Sequence, residues 1–256
     1  MPRRILLFIF NMYSRSINVI LFSLGYITAF FLSMFQRGKK YKMFYKVGRF
    51  FLRLNMALCF IRYEEEGKEN IPNRTMIYVS DHRSILDAFQ LIVLLKKYFF
   101  MITAPLEHFP KVISIWIKAL GFIPTFVDAE SKKKYKTAYT KKEALIQAEK
   151  RLKNGESIAI FPEGEMERHK GLLKFHTGAV RLALKAKVPI LPIGITGTEN
   201  KVTPVKGYVH PGTVHIKFGE PIYYDEHYGK ANDHKLVKRL TRELRAEVDK
   251  VMHHNV

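Results

Sequence analysis

An α/β domain built on a mostly parallel, twisted sheet flanked by helices is predicted for residues 62–256, behind an N-terminal helical segment at residues 1–61 that anchors the chain to a membrane. Two observations carry the first part. Short β-prone runs alternate with amphipathic helical patterns from residue 62 onward, and several of the runs are apolar throughout, as expected of strands covered on both faces. A third observation, the uncharged run Ser16–Gln36 between Arg15 and Arg37, carries the anchor.

The run is 21 residues long, which as a helix reaches roughly 31 Å, about one bilayer core. Asn18, Ser23, Gly25, Tyr26, Thr28 and Ser33 interrupt it, leaving two readings. It crosses the membrane, or it pairs with Phe44–Ile61 in a hairpin that dips in from one side. The second is favoured, because Phe50, Phe51, Leu54, Leu58 and Ile61 fall near helical spacing while Lys46, Arg49 and Arg53 can meet lipid phosphates. Seven basic residues from Arg37 to Arg53 follow the run against three before it. That bias predicts the cell membrane as the location, with the bulk of the chain on the cytoplasmic side.

Beyond the anchor, strands are expected at Met76–Ser80, Phe99–Thr103, Phe122–Val127, Ser157–Phe161, Ile190–Gly194 and Val214–Phe218. Helices are expected between them at Ser84–Lys96, Pro110–Leu120, Tyr135–Lys153, Thr177–Lys187 and Asp233–His253. No repeat or low-complexity linker divides this stretch. In such sheets ligands gather beyond the carboxyl ends of the strands, so the motifs there are the ones to weigh.

Composition narrows the chemistry. The 256 residues carry 43 Lys and Arg against 23 Asp and Glu, a net charge of +20, which calls for anionic partners. Eleven of those basic residues and no acidic one lie within residues 1–62, so the excess belongs largely to the apolar anchor and points to membrane phospholipids rather than nucleic acid. A single cysteine, Cys59, excludes an internal disulfide and any metal centre built on several thiolates.

The first candidate site is Ser80-Asp81-His82-Arg83-Ser84-Ile85-Leu86-Asp87. It places His82 at a strand's carboxyl end, Ser84 as the helix N-cap and Asp87 at the third helical position. With His82 just before the helix, the Asp87 carboxylate can take the imidazole N–H, fix its tautomer and leave the other nitrogen to accept a proton from a substrate hydroxyl. Ten His and six Asp would produce this spacing by chance in about a quarter of shuffled sequences, so placement carries the reading. The competing reading has Asp87 capping helix N–H groups. A second pair of equal spacing, His215 and Glu220, lies on a strand and its exit and is read as structural.

The second candidate, Phe161-Pro162-Glu163-Gly164, leads to Arg168 and Lys170. Gly164 permits a turn whose N–H groups can face an anion, and Arg168 adds charge. Glu163 is expected to orient a neighbouring cation or accept a substrate hydroxyl. Asp128 sits at the mouth of the Gly121–Asp128 segment, and Val188–Gly194 is expected to wall the pocket.

In order, these blocks resemble the glycerolipid acyltransferase family. The family's His-x4-Asp block is similar to His82–Asp87, its Phe-Pro-Glu-Gly block to Phe161–Gly164, its Val-Pro-Ile-x-Pro block to Val188–Pro192 and its Gly-x-x-x-hydrophobic-Asp region to Gly121–Asp128. The resemblance spans about residues 60–222. It implies the glycerol-3-phosphate acyltransferase-like fold, His82 as general base and Asp87 as its orienting partner. It further implies substrate contacts from Asp128, Phe161, Pro162, Glu163, Gly164 and Arg168. The implied reaction moves a fatty acyl chain from acyl-CoA or acyl carrier protein to the free hydroxyl of lysophosphatidic acid, without metal or other cofactor. Three positions depart from the pattern: Ala129 where the family has Arg, Glu165-Met166-Glu167 before Arg168, and Pro105 where a Lys is usual. They leave open another lysophospholipid or hydroxylated lipid as acceptor. A non-catalytic basic membrane-binding protein is the alternative from another class.

Overall fold

The structure, a computed structural model, describes residues 3–35, 38, 40–125, 135, 137–166, 171–199, 201 and 210–253. It opens with helices α1 (Arg3–Met34) and α2 (Lys40–Leu58). Helix α1 runs well past Arg15, because long side chains with a charged tip do not interrupt a helix and nothing in the segment breaks it. From Ile5 to Met34 it is long and apolar enough to cross a membrane, with only 17% of its apolar window buried. Phe8, Ile20, Phe31 and Met34 are all exposed. Tyr13 reaches the Leu58 carbonyl and Tyr26 packs on Phe44, so α1 and α2 form an antiparallel hairpin.

The face of α2 turned to the protein is a different one from the stripe expected to meet lipid. Phe44, Tyr45, Leu52 and Met56 are buried, whereas Phe50 and Leu54 are exposed, and Ile61 begins the first strand instead of ending the helix. The inward face is held by Tyr45, whose hydroxyl donates to the Leu95 carbonyl at 2.7 Å.

The remaining elements are β1 (Ile61–Glu66), β2 (Ile77–Ser80), α3 (Leu86–Leu94), β3 (Phe99–Thr103), α4 (Lys111–Ala119), β4 (Ile123–Pro124), α5 (Lys141–Lys153), β5 (Ser157–Ile160), α6 (Gly178–Ala186), β6 (Ile190–Thr196), β7 (Gly212–Phe218) and α7 (His234–His253). Seven strands form one sheet in the order β1-β7-β6-β2-β5-β3-β4. All neighbours are parallel except β6 and β7. This is the predicted mostly parallel class, with a reversal at one edge.

Strands β2 and β5 are buried at every residue, which is why they read as unbroken apolar runs. Strand β1 is missing from the sequence expectation for the opposite reason. Its sequence Ile-Arg-Tyr-Glu-Glu-Glu alternates buried or half-buried with exposed positions, and its glutamates mask the apolar half of that alternation.

Helix α5 starts at Lys141, not Tyr135. Thr140 and Glu143 make a reciprocal capping box there, a stronger local start than the preceding turn offers. Part of the expected Phe122–Val127 strand lies outside the described residues.

The hairpin joins the domain through α4. Trp116 Nε1 donates to the Phe22 carbonyl at 3.0 Å, and its ring meets those of Tyr26 and Phe44 edge-on. A second joint sits at the amino end of β5. The Arg151 guanidinium lies 4.1 Å over the Phe100 ring and donates to Glu156 at 2.7 Å. Tyr41 of α2 donates its hydroxyl to the same carboxylate.

Candidate active site

Three adjacent parallel strands, β5, β2 and β6, deliver their carboxyl ends side by side. The segments leaving those ends are therefore brought together however far apart they lie in sequence. After β2 come Asp81, His82 and Asp87; after β5, Phe161 to Gly164; after β6, Thr198.

His82 Nδ1 lies 3.1 Å from Asp87 Oδ2. That same oxygen accepts the backbone N–H groups of Arg83 at 2.8 Å and Ser84 at 2.7 Å, and Asp87 Oδ1 accepts the Thr198 hydroxyl at 2.5 Å. The two readings of Asp87 are thus not exclusive: one carboxylate caps the helix start and receives the imidazole. It is 1% exposed, and both of its oxygens are hydrogen-bonded. Ser84 stands one place earlier than expected. Its hydroxyl accepts from Leu86 N at 3.3 Å, while the cap position is Ile85 and Asp87 is the second helical residue.

The imidazole is held on a second side by Phe161, whose ring lies parallel to it, centroids 4.2 Å apart and planes 17° off. Among the described residues His82 Nε2 has no hydrogen-bond partner, so it is the nitrogen available to substrate.

Glu163 has main-chain partners that the sequence does not announce. Its Oε1 accepts the His82 backbone N–H at 2.9 Å and its Oε2 the Leu173 N–H at 2.8 Å, so both oxygens accept from backbone, and among the described residues neither meets a cation. The Gly164 N–H is also engaged, donating to the Phe161 carbonyl at 3.1 Å, and is not free to face an anion. Gly164 has φ +75, and a Cβ there would stand 3.0 Å from the His176 ring, so the tight turn requires glycine. Pro162 accepts the His176 N–H at 2.7 Å. Asp128, Ala129 and Arg168 lie outside the described residues.

Val188–Gly194 lines neither of the two cavities near the site. It is a sheet-centre strand, and its contribution comes from the next residues. Ile195 N donates to Asp81 Oδ1 at 3.2 Å, and Gly197, at φ +85, turns the chain so that Thr198 reaches Asp87. His215 pairs with Glu64 of the neighbouring strand at 2.9 Å, in keeping with a structural reading.

Asp81 carries no role in the sequence reading, yet it lies at the centre of the site. It is 1% exposed, with Oδ2 at 3.2 Å from Arg83 Nε but off the N–H axis and without a hydrogen bond. Burial, reinforced by the Asp87 charge, pushes its carboxyl up to about 8.

An apolar cavity with about 810 Å³ of atom-free space, part of it open to solvent, begins at the first turn of α3. Ile85, Ala88 and Phe89 of that region face Met101 and Thr103 of β3, with Leu21 and Phe22 of α1 and five residues of α2 closing the other side. On the opposite face of the sheet a second cleft, with about 890 Å³ of atom-free space and likewise partly open, is lined by Phe161 and Pro162.

A family model described as Acyltransferase matches residues 62–196. Among curated relatives, the 1-acyl-sn-glycerol-3-phosphate acyltransferase of Salmonella typhimurium is 30% identical over 188 residues, 68% of each chain. The chloroplastic 1-acyl-sn-glycerol-3-phosphate acyltransferase BAT2 of Brassica napus is 30% identical over 168 residues, 64% of this chain and 46% of that one. The chain thus spans about half the length of that relative. The crystal structure of the 1-acyl-sn-glycerophosphate (LPA) acyltransferase PlsC from Thermotoga maritima has the same fold, with a TM-score of 0.74 at 22% identity and 97% of each chain covered. A family model that accounts for more than half of the residues, and a bacterial relative matched over two thirds of its length, establish that this chain belongs to the acyltransferase family.

Proposed function

We propose that the protein transfers a fatty acyl chain from a thioester, on coenzyme A or acyl carrier protein, to the sn-2 hydroxyl of 1-acyl-sn-glycerol 3-phosphate, giving phosphatidic acid. The observation that carries this reading is His82 at the carboxyl end of β2 with Nδ1 on Asp87 and Nε2 free among the described residues, one turn from an apolar cavity. The names of the relatives support the acceptor.

His82 Nε2 takes the proton of the acceptor hydroxyl as its oxygen attacks the thioester carbonyl. Asp87, accepting the Nδ1–H, holds the tautomer and stabilises the imidazolium. The C–O bond forms, the C–S bond breaks as the tetrahedral intermediate collapses, and the imidazolium returns its proton to the departing sulfur. An enzyme nucleophile is unnecessary because the thioester is already activated. Cys59 suits no such role, being fully buried with its thiol raised by burial to about 11.

The hairpin of α1 and α2 seats the domain on the cytoplasmic face of the cell membrane, with the exposed apolar side chains of α1 in lipid and the basic residues of α2 among phospholipid headgroups. The acyl chain enters the cavity walled by that hairpin. Arg168 stands as a candidate contact to the acceptor phosphate, and Asp128 as a candidate contact to an uncharged part of the substrate.

A second reading keeps the chemistry and changes the acceptor to another lysophospholipid, favoured by Ala129 and Pro105 where the family carries cations. The test is acceptor-dependent thiol release by the wild type and by His82→Ala with acyl-CoA or acyl carrier protein. Release that requires lysophosphatidic acid and is lost in the variant supports the first reading; equal turnover in both proteins defeats the mechanism.

A further inference from the structure

The two cavities lie on opposite faces of one sheet. Strand β3 shows it: Met101 and Thr103 face the apolar cavity, while Ile102 between them faces the second cleft, as successive residues of a strand must. The cleft opens at the carboxyl ends of β3 and β5, and its wall is the Phe161 ring, which carries His82 on its parallel stack. A group at His82 is therefore flanked by the apolar cavity on one face of the sheet and by this cleft on the other.

The linings differ in kind. The apolar cavity takes seven residues from α1 and α2, the cleft none. The cleft is walled by Ile160, Pro162 and Leu145 but ringed by Lys141, His176 and Arg181. Lys141 and His176 are exposed, and among the described residues Lys141 has no ionic partner. Arg181 donates to Ala231 O at 2.8 Å and to the Thr177 hydroxyl and lies 3.0 Å from His234, and among the described residues no carboxylate pairs with it. Apolar walls with a cationic rim suit a ligand that is slender and weakly polar along its length and phosphorylated at its end.

We propose that this cleft holds the phosphopantetheine arm of the acyl donor, the part common to coenzyme A and acyl carrier protein. The proposal rests on the acyl-transfer reading above and adds a site to it. The thioester straddles the strand ends at His82, the fatty chain lying in the cavity on the hairpin side and the arm in the cleft on the other, with its phosphate among Lys141, His176 and Arg181.

Calorimetric titration of the full-length protein in detergent with free 4′-phosphopantetheine, coenzyme A and holo acyl carrier protein tests the assignment without depending on turnover. Lys141→Glu changes an exposed side chain and leaves the core alone; Leu145→Trp fills the cleft and serves as the second variant. Each variant is expected to weaken all three probes by about tenfold, the size of reversing or displacing one phosphate contact. Undiminished binding in both variants, or loss confined to coenzyme A, overturns the arm's placement. So does a rise in the KM for lysophosphatidic acid with the donor KM unchanged. If the variants weaken the probes but the wild type transfers no acyl group to lysophosphatidic acid, the cleft stands and the acceptor reading falls. If the wild type transfers the acyl group yet binds none of the probes in the cleft, the acceptor reading stands and the cleft falls.

Discussion

Glu163 holds the backbone N–H of His82 at 2.9 Å across 81 residues of sequence. His82 is thus positioned from both ends, its side chain by Asp87 and Phe161 and its main chain by a carboxylate that follows the neighbouring strand. Replacing Glu163 by Gln leaves one backbone N–H facing an amide N–H, which costs about 1–3 kcal/mol. The expected result is a lowered thermal midpoint and a lowered kcat with little change in the acceptor KM, read by thermal unfolding and initial-rate kinetics on one preparation. A kcat equal to wild type would show that His82 needs no support from this side.

Asp87→Asn retains the size of the side chain and an acceptor for the helix N–H groups but no longer stabilises an imidazolium. It is expected to lower kcat by about 10²–10⁴. Thr198→Val, which only removes the hydroxyl on Asp87 Oδ1, should reduce it far less. Side-by-side rates with one donor separate the two.

Asp81 gives the fold a pH dependence of its own. Its carboxyl titrates near 8 in the folded chain against an ordinary 3.8, so between those values the folded state holds a proton that the unfolded state has lost. Stability contributed by this group is complete at the acid end of the window, declines as the pH rises and levels off above about 8. Asp81→Asn cannot ionise, and its thermal midpoint should gain on wild type steadily from about pH 5 to pH 8. A difference that stays constant over that range would mean that Asp81 is ionised throughout.

The Arg151 joint makes a sharper prediction about the hairpin. Glu156 is 5% exposed and is paired with Arg151 at 2.7 Å. Arg151→Met leaves that carboxylate buried without its cation, at a cost of about 3–5 kcal/mol. Adding Glu156→Gln should recover much of the loss. Denaturant unfolding of the single and double variants measures the coupling, and additive losses would show that the pair is not a unit.

The part of the site legible in the sequence is local. The His82–Asp87 contact closes over five residues, so strand, loop and helix start can be read together, and the fully buried strands announce themselves as apolar runs. The site's other members are joined over long separations. Thr198 meets Asp87 across 111 residues, and only the order of β5, β2 and β6 in the sheet makes Glu163 a neighbour of His82. The partners of Glu163 escape the sequence for that reason: a carboxylate beside a glycine turn reads as a ligand for cations, whereas its partners among the described residues are main-chain groups that every residue type supplies. The capping box at Thr140 and Glu143 is readable, but a broad helical pattern upstream obscures it.

Leu21, Phe22 and five residues of α2 belong to the wall of the apolar cavity as well as to the hairpin. With that hairpin in a bilayer, the chain of an acyl-CoA that has partitioned into the lipid exchanges one hydrocarbon surrounding for another on entering the cavity, and the roughly 0.8 kcal/mol per methylene that drives such chains out of water cancels between the two sides. Discrimination among chains must then come from how well each fills the space between Ala88, Phe89 and Met101, a matter of dispersion and shape. Occupancy by an acyl-CoA then follows its mole fraction in the surface instead of its bulk concentration, so diluting that donor with inert lipid at constant total amount should slow the reaction.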